Sequence, residues 1–173
     1  VAFDSRTVTS AQGLLVRRAV EMAEQGCSAR EIAEKLEGLR KRLAFFVAVR
    51  DLSSLIRSGR LHGLKSLILR KFGLRPLLAT DQEGRARTAG IYAGEHNTVA
   101  VLFSKVKKAF PAGSSVELHI SHVDAETDAR HLAELCAARF HPESRFVVAE
   151  MGPVLASLAW RGAIGVAGLP LEA

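Results

Sequence analysis

The sequence predicts an α+β fold, and three observations carry that expectation. Segments with apolar residues three and four apart, the period of a helix face, are interspersed with short segments that are continuously apolar or strictly alternating, as strands are. Two strand segments, "RPLLAT" and "RARTAGIYA", flank "DQEG", whose Asp81 and Gly84 fit a hairpin loop, so strands follow one another directly as well as through helices. Hydrophobic residues make up 48% of the 173, charged residues 24% and aromatic residues only 6%, so aliphatic side chains must fill a sizeable core.

Taken in order, Val1–Asp4 reads as a strand leading into Ser5–Ser10. A helix is expected over residues 10 to 25, with Leu15, Ala19 and Met22 on one face and Gly26 at its exit. Ser28 precedes Glu31 by three, the spacing of a capping box, and the helix it opens carries Ile32, Leu36, Leu39 and Leu43. "AFFVAVR" (Ala44–Arg50) is a buried strand by its continuous apolar character. "DLSSLIRSGR" reads as a short helix capped by Asp51, and Leu61–Phe72 as another, ended by Gly73 and Pro76. After the hairpin, Val99, Leu102, Phe103, Val106 and Phe110 form a helical stripe. In "VELHISH", Val116, Leu118 and Ile120 face one way and Glu117, His119 and Ser121 the other. Ala129, Leu132, Ala133, Cys136 and Phe140 mark a further helix; "RFVVAEM" is a strand, "GPVLASLAWRG" a Gly-bounded loop or short helix, and "AIGVAGL" the last strand.

Several function classes lose support. No apolar run approaches the roughly 20 residues that span a bilayer, and no signal-peptide pattern is visible, so a cytoplasmic protein is expected. Cys27 and Cys136 lie far apart without metal-ligand spacing and read as reduced, structural residues. The net charge of +6 invites nucleic acid, but the cations are dispersed and no aromatic residues are interleaved to stack bases, so no nucleic-acid partner is expected. There is neither a phosphate-binding G-x-x-x-x-G-K-[ST] loop nor a G-x-S-x-G elbow, and His62, His96, His119, His122, His131 and His141 form no motif. Asp124 and Glu126 fall at a helix start, where capping accounts for them. An enzyme is not expected, and no cofactor or metal is implied.

Five segments, in order, resemble the C-terminal part of the DegV family of bacterial fatty-acid-binding proteins. "AFDSRTVTSAQGLLV" is similar to V-I-D-S-x-S-V-S-x-G-x-G-x-L-V, and "FFVAVRDLSSLIRSGRL" to F-x-V-x-T-L-x-Y-L-x-x-G-G-R-I. "LRPLLATDQEGRA" resembles I-K-P-I-L-x-x-x-x-G-x-I, "ISHVDAETDARHLAELC" resembles I-x-H-A-D-A-x-E-x-A-x-x-L, and "EMGPVLASLAWRGAIGVA" resembles x-L-G-P-V-I-G-T-H-T-G-P-G-A-L-G-L-A. The resemblance implies two α/β domains with the ligand between them. Residues 1–42 would be the end of the first domain. Residues 43–173 would be the second, a mainly antiparallel six-stranded sheet with helices that encloses the acyl tail. The family's S-G-T-Y loop, which grips the carboxylate, is absent, so the chain is expected to be a fragment or a piece of a longer polypeptide.

The implied function is to hold a long-chain fatty acid for a separate kinase that phosphorylates its carboxylate, in phospholipid synthesis. An acyl tail needs a dry apolar cavity, worth roughly 0.8 kcal/mol per buried CH₂; Phe45, Phe46, Leu52, Leu55, Leu77 and Ile120 are candidates to line it, with mutual core packing as the other reading of each. Arg60 matches the arginine of G-G-R-I, and is either a cation near the cleft or a helix C-terminal group. His122 matches the histidine of I-x-H-A-D, and is either near the ligand or a strand-end residue held by local backbone. Ser157 matches the first threonine of G-T-H-T-G, and either donates to the carboxylate or bonds its own backbone.

The departures bear on function. Leu158 and Ala159 stand where the family has His and Thr, and Trp160 and Arg161 replace Gly and Pro. Arg161 is a replacement donor for the carboxylate, or Trp160 plugs the site. Gly94, Glu95 and His96 replace a basic run, R-x-K-K-A, associated with kinase docking. A structural or regulatory domain that no longer binds lipid is therefore the alternative function.

Overall fold

The computed structural model describes residues 1–50 and 73–171. The two helical periods at the start of the chain fold as α1 (Thr9–Glu24) and α2 (Ala29–Arg42). The expected capping box closes α2: Glu31 N–H donates to Ser28 Oγ at 3.3 Å, and Ser28 N–H donates to Glu31 Oε2 at 2.8 Å. Val1–Asp4, expected as a strand, forms no ladder with the described residues, and a strand without a neighbour has nothing to bond its backbone. The two helices expected within 51–72 lie outside the described residues.

Strands β1 (Ala44–Ala48), β2 (Leu74–Thr80), β3 (Ala86–Ala93), β4 (Val116–His122), β5 (Arg145–Glu150) and β6 (Ile164–Pro170) form one sheet in the order β3-β2-β1-β6-β4-β5. All neighbours are antiparallel except β4 and β5. That parallel pair is joined by a helix, α4 (Glu126–Ala137), as a parallel crossover requires. Helix α3 (Thr98–Ala109) follows β3, and a seven-residue helix, α5 (Pro153–Ala159), precedes β6. The β2–β3 hairpin turns as expected. Asp81 accepts the backbone N–H groups of Glu83 and Arg85 at 3.0 and 2.8 Å, and Gly84 sits at φ +81°, where a Cβ would meet Arg6.

The sheet is covered on both faces. Leu102 and Val106 of α3 and Ala129, Leu132 and Cys136 of α4 pack on Ala48, Leu77, Leu118, Ile120, Ile164 and Val166. On the other face Ala11, Leu14 and Leu15 of α1 and Leu36 of α2 pack on Phe45, Ala167 and Leu169. The alternation of β4 therefore separates its side chains as expected; on the second face Glu117 and Ser121 are buried beneath α1 and His119 is half-buried.

Candidate ligand-binding site

Arg60, Leu52 and Leu55 lie outside the described residues. The remaining candidates divide between the two faces of the sheet. Leu77 and Ile120 are buried in the α3/α4 core and Phe46 packs against it, whereas Phe45, one residue earlier on β1, points into the α1/α2 core. Adjacent strand residues take opposite faces, so one pocket on one face takes Phe46, Leu77 and Ile120 but not Phe45.

The polar candidates gather at one end of the sheet. The register pairs Ile164, which opens β6, with Ala48 near the end of β1 and with His122 at the end of β4. His122 is 4% exposed, its Nδ1 accepts the Ala125 N–H at 3.4 Å, and its carbonyl accepts Met151 N–H at 2.8 Å. The backbone of Val123 and residues 162–163 exchange two hydrogen bonds: Gly162 N–H donates to the Val123 carbonyl at 2.7 Å, and Val123 N–H donates to the Ala163 carbonyl at 3.0 Å. These bonds fix the loop that carries Trp160 and Arg161. Trp160 at φ +64° and Asp124 at φ +47° both hold the left-handed backbone that non-glycine residues rarely take, a feature that clusters at functional sites.

Arg161 is 76% exposed and its guanidinium is ion-paired with Asp124. Asp124 therefore serves as a counter-charge, and no side chain caps α4. Ser157 is exposed on α5 and donates to the Val154 carbonyl at 2.8 Å, the local backbone bond that was one of its two readings.

Arg50, two residues beyond β1, is a further cation at this end that the sequence motifs did not single out. It pairs with Asp128 in the first turn of α4, and its buried Nε has no hydrogen-bond partner among the described residues. Its side chain runs over Gly162, where a Cβ would come within 2.4 Å of Arg50 Cδ. The Arg50 carbonyl accepts Arg75 Nε at 2.8 Å, and Arg75 in turn bonds Glu95 at 2.8 Å. Tyr92 donates its hydroxyl to the Val49 carbonyl at 3.2 Å, and burial raises its pKa. Nothing local in "VAVRDL" marks Arg50, because Gly162 and Asp128 are distant in sequence.

Among the described residues this end presents the guanidiniums of Arg50, Arg75 and Arg161, each opposed by one carboxylate, beside a buried imidazole. An anion arriving there must compete with Asp124, Asp128 or Glu95 for a guanidinium. Among the described residues no group of three or more His, Cys, Asp or Glu is placed to hold a metal ion, and no helix is long and apolar enough to cross a membrane.

The family model of the DegV family, whose description is an uncharacterised protein, matches residues 1–171. The chain belongs to the DegV family. A DegV domain-containing protein of Clostridium perfringens is 26% identical over 163 residues, covering 94% of this chain and 56% of the relative. The chain thus spans a little over half the length of the curated relatives it matches. Among solved structures, a DegV family protein from Thermus thermophilus, described for its fatty acid binding, superposes with a TM-score of 0.85 at 24% identity, over 99% of this chain and 61% of that one. The Streptococcus pneumoniae fatty acid kinase B3 protein, loaded with linoleic acid, superposes with a TM-score of 0.85 at 18% identity, over 98% of this chain and 59% of that one. At these identities the superpositions establish a shared fold, and the six-stranded sheet with its flanking helices is that fold.

Proposed function

We propose that the protein binds a long-chain fatty acid, with its tail on the sheet face of Phe46, Leu77 and Ile120 and its carboxylate at the sheet end that holds His122 and Arg161. The observation that carries this is the family match along residues 1–171, within a family whose solved members include fatty-acid-loaded proteins. Leu52, Leu55 and Arg60 are proposed to complete the tail cavity and the head-group set, and Ser157 to add a weaker donor. The chain itself is proposed to catalyse nothing, to act in the cytoplasm, and to present its lipid to a separate kinase.

Residues 1–42 are proposed to be the end of a preceding α/β domain, packed here on the sheet of residues 43–173. Limited proteolysis that releases 1–42 and leaves the sheet folded supports that division; loss of the cooperative melt on their removal counts against it.

A second reading has its own support. Arg161 is occupied by Asp124 and Ser157 by the Val154 carbonyl, while Leu158 and Ala159 replace two polar residues of the family pattern. That arrangement suits a DegV-like structural domain that no longer binds lipid. Native mass spectrometry of the full-length protein, followed by solvent extraction, separates the readings. One acyl chain per protein supports the carrier. Extracts without acyl chains, and no saturable binding across a panel of fatty acids, support the structural domain.

A further inference from the structure

Strand parity places one cation on the face proposed for the acyl tail. Phe46 and Ala48 alternate onto the α3/α4 side of β1, and Arg50, two residues further on, follows the same period. Its contact agrees with that side: the guanidinium pairs with Asp128 in the first turn of α4, the helix whose Ala129 and Leu132 cover that face. Ile120 and His122 are likewise two apart on β4, and the register Ala48–Ile164–His122 brings the exits of β1 and β4 to one end. An acyl chain lying on Phe46 and Ile120 therefore has its head group nearest Arg50 and His122. Arg161 sits on the loop beyond them, with its side chain 76% exposed against 24% for Arg50.

The Arg50–Asp128 pair leaves the fork of the guanidinium half used. Asp128 Oδ2 accepts from Nη2 alone, whereas a carboxylate can take two N–H groups of an arginine at once. The buried Nε has no hydrogen-bond partner among the described residues, and a desolvated donor without an acceptor is costly. Gly162 keeps that flank from being crowded: a Cβ there would lie 3.1 Å from Nε and 3.2 Å from Nη1. Attraction between charges strengthens where water is excluded, so a half-buried guanidinium separates a charged head group from a neutral one better than an exposed one does. We propose that Arg50 is the residue that selects the carboxylate of the fatty acid, with Asp128 as its built-in competitor, displaced when the carboxylate takes the fork. This inference rests on the fatty-acid reading above and adds to it the side chain that distinguishes an acid from its neutral alcohol.

The test measures equilibrium binding of radiolabelled palmitate and hexadecanol to the delipidated full-length protein. The parent should prefer palmitate. Arg50→Gln should weaken palmitate about tenfold or more, the scale of losing charge-assisted hydrogen bonds, and shift hexadecanol by less than about twofold. Arg50→Lys keeps the charge without the planar fork and should fall between. Asp128→Asn should tighten palmitate about threefold, the scale of releasing a partly exposed pair, and leave hexadecanol unchanged. A purely structural ion pair gives a different pattern, in which Arg50→Gln and Asp128→Asn weaken both lipids alike. Asp128 is partly exposed, so Asp128→Asn keeps the test valid if the Arg50 change disturbs folding. The inference is overturned, with the fatty-acid reading intact, if the parent binds palmitate but Arg50→Gln leaves the palmitate-to-hexadecanol ratio unchanged, or if Asp128→Asn weakens palmitate. A parent that binds neither lipid overturns both.

Discussion

The two faces of the sheet are both buried, yet they are closed by different chemistry. Against α3 and α4, β4 presents Val116, Leu118 and Ile120, and they pack among apolar side chains, aromatic Phe110 and Phe140 included. Against α1, the same strand presents Glu117 and Ser121. Glu117 is 0% exposed and is met by Arg17 Nε at 3.3 Å, Arg18 at 3.0 Å and His119 Nε2 at 3.0 Å, while Ser121 donates to Ser10 Oγ at 3.2 Å. Arg18 lies within ionic reach of Glu117 Oε2 but off the hydrogen-bonding direction, so that contact is Coulombic. The first face excludes water by packing alone, which is indifferent to pH. The second buries a charge and must keep its partners, so its contribution depends on protonation.

The largest effect is expected on the apolar face. Leu118 is fully buried, and Gly168 opposite it leaves so little room that a Cβ there would lie 2.4 Å from Leu118 Cδ2. Leu118→Ala removes well-packed atoms that a tight surrounding cannot replace, and should cost about 3 kcal/mol of unfolding free energy. Urea melts at pH 7 and at pH 3.5 should show the same loss.

On the polar face Glu117→Gln should cost about 2 kcal/mol at pH 7, less than a fully buried pair because the Arg17 and Arg18 side chains are partly exposed and can turn to water. Burial alone would raise the Glu117 pKa; the His119 hydrogen bond and the Arg18 and Arg17 charges outweigh it and hold the carboxyl below its usual value. A carboxyl with a depressed folded pKa contributes stability above its unfolded pKa, about 4.3, and that contribution is lost as pH falls through the folded value. The gap between parent and Glu117→Gln should therefore close below about pH 4, unlike that of Leu118→Ala. A gap that stays constant to pH 3 would remove the distinction between the faces.

This contrast was only half legible in the sequence. The alternation of "VELHISH" separates the two sets of side chains correctly, because period 2 is a property of the strand itself. That Glu117 and Ser121 would be buried depends on α1, whose Arg17, Arg18 and Ser10 lie about a hundred residues earlier in the chain. Local signals fared well for the same reason: the Ser28–Glu31 capping box and the Asp81–Gly84 loop form within a few residues. The ligand-binding candidates were legible through family likeness, not through physics. Phe45 and Phe46 look equivalent as a pair of aromatic residues until the sheet assigns them to opposite faces. Arg50 became visible only once Gly162 and Asp128 were brought beside it.

The Arg161–Asp124 pair at the end of the sheet joins neither regime, since its charges are paired but wet. Arg161→Ala should change stability by less than about 0.5 kcal/mol, because an exposed pair is screened. If Arg161 turns from Asp124 to a fatty-acid carboxylate, the same change should weaken binding by about 1–3 kcal/mol, the scale of a hydrogen bond to a charged group. Ser157→Ala should cost less. Titration with a fluorescent fatty acid checks both variants. Unchanged affinity in Arg161→Ala, with gained affinity in Trp160→Gly, would assign Trp160 as a plug and remove Arg161 from the site.

The smallest effect tests whether α2 holds to the polar face by its own start signal or by packing. Ser28 is exposed and makes no contact with the sheet in its capping bonds, so Ser28→Ala removes the cap alone: the N–H of Glu31 loses its side-chain acceptor, and the Glu31 carboxylate loses the Ser28 hydroxyl. The expected cost is about 1 kcal/mol. The Ser28 hydroxyl and backbone hydrogen bonds also hold the Glu31 pKa below its usual value. The share of the cap carried by the Glu31 carboxylate should thus be present above about pH 4.3 and fade as the pH falls through the lowered folded value, on the same side as Glu117 but smaller, while the bond from Glu31 N–H to the Ser28 hydroxyl persists. Hydrogen exchange localises the effect: Ser28→Ala should speed exchange in the first turn of α2 and leave β4 unchanged. If β4 loosens equally, α2 and the sheet melt as one unit, and the two faces are energetically less separate than their chemistry suggests.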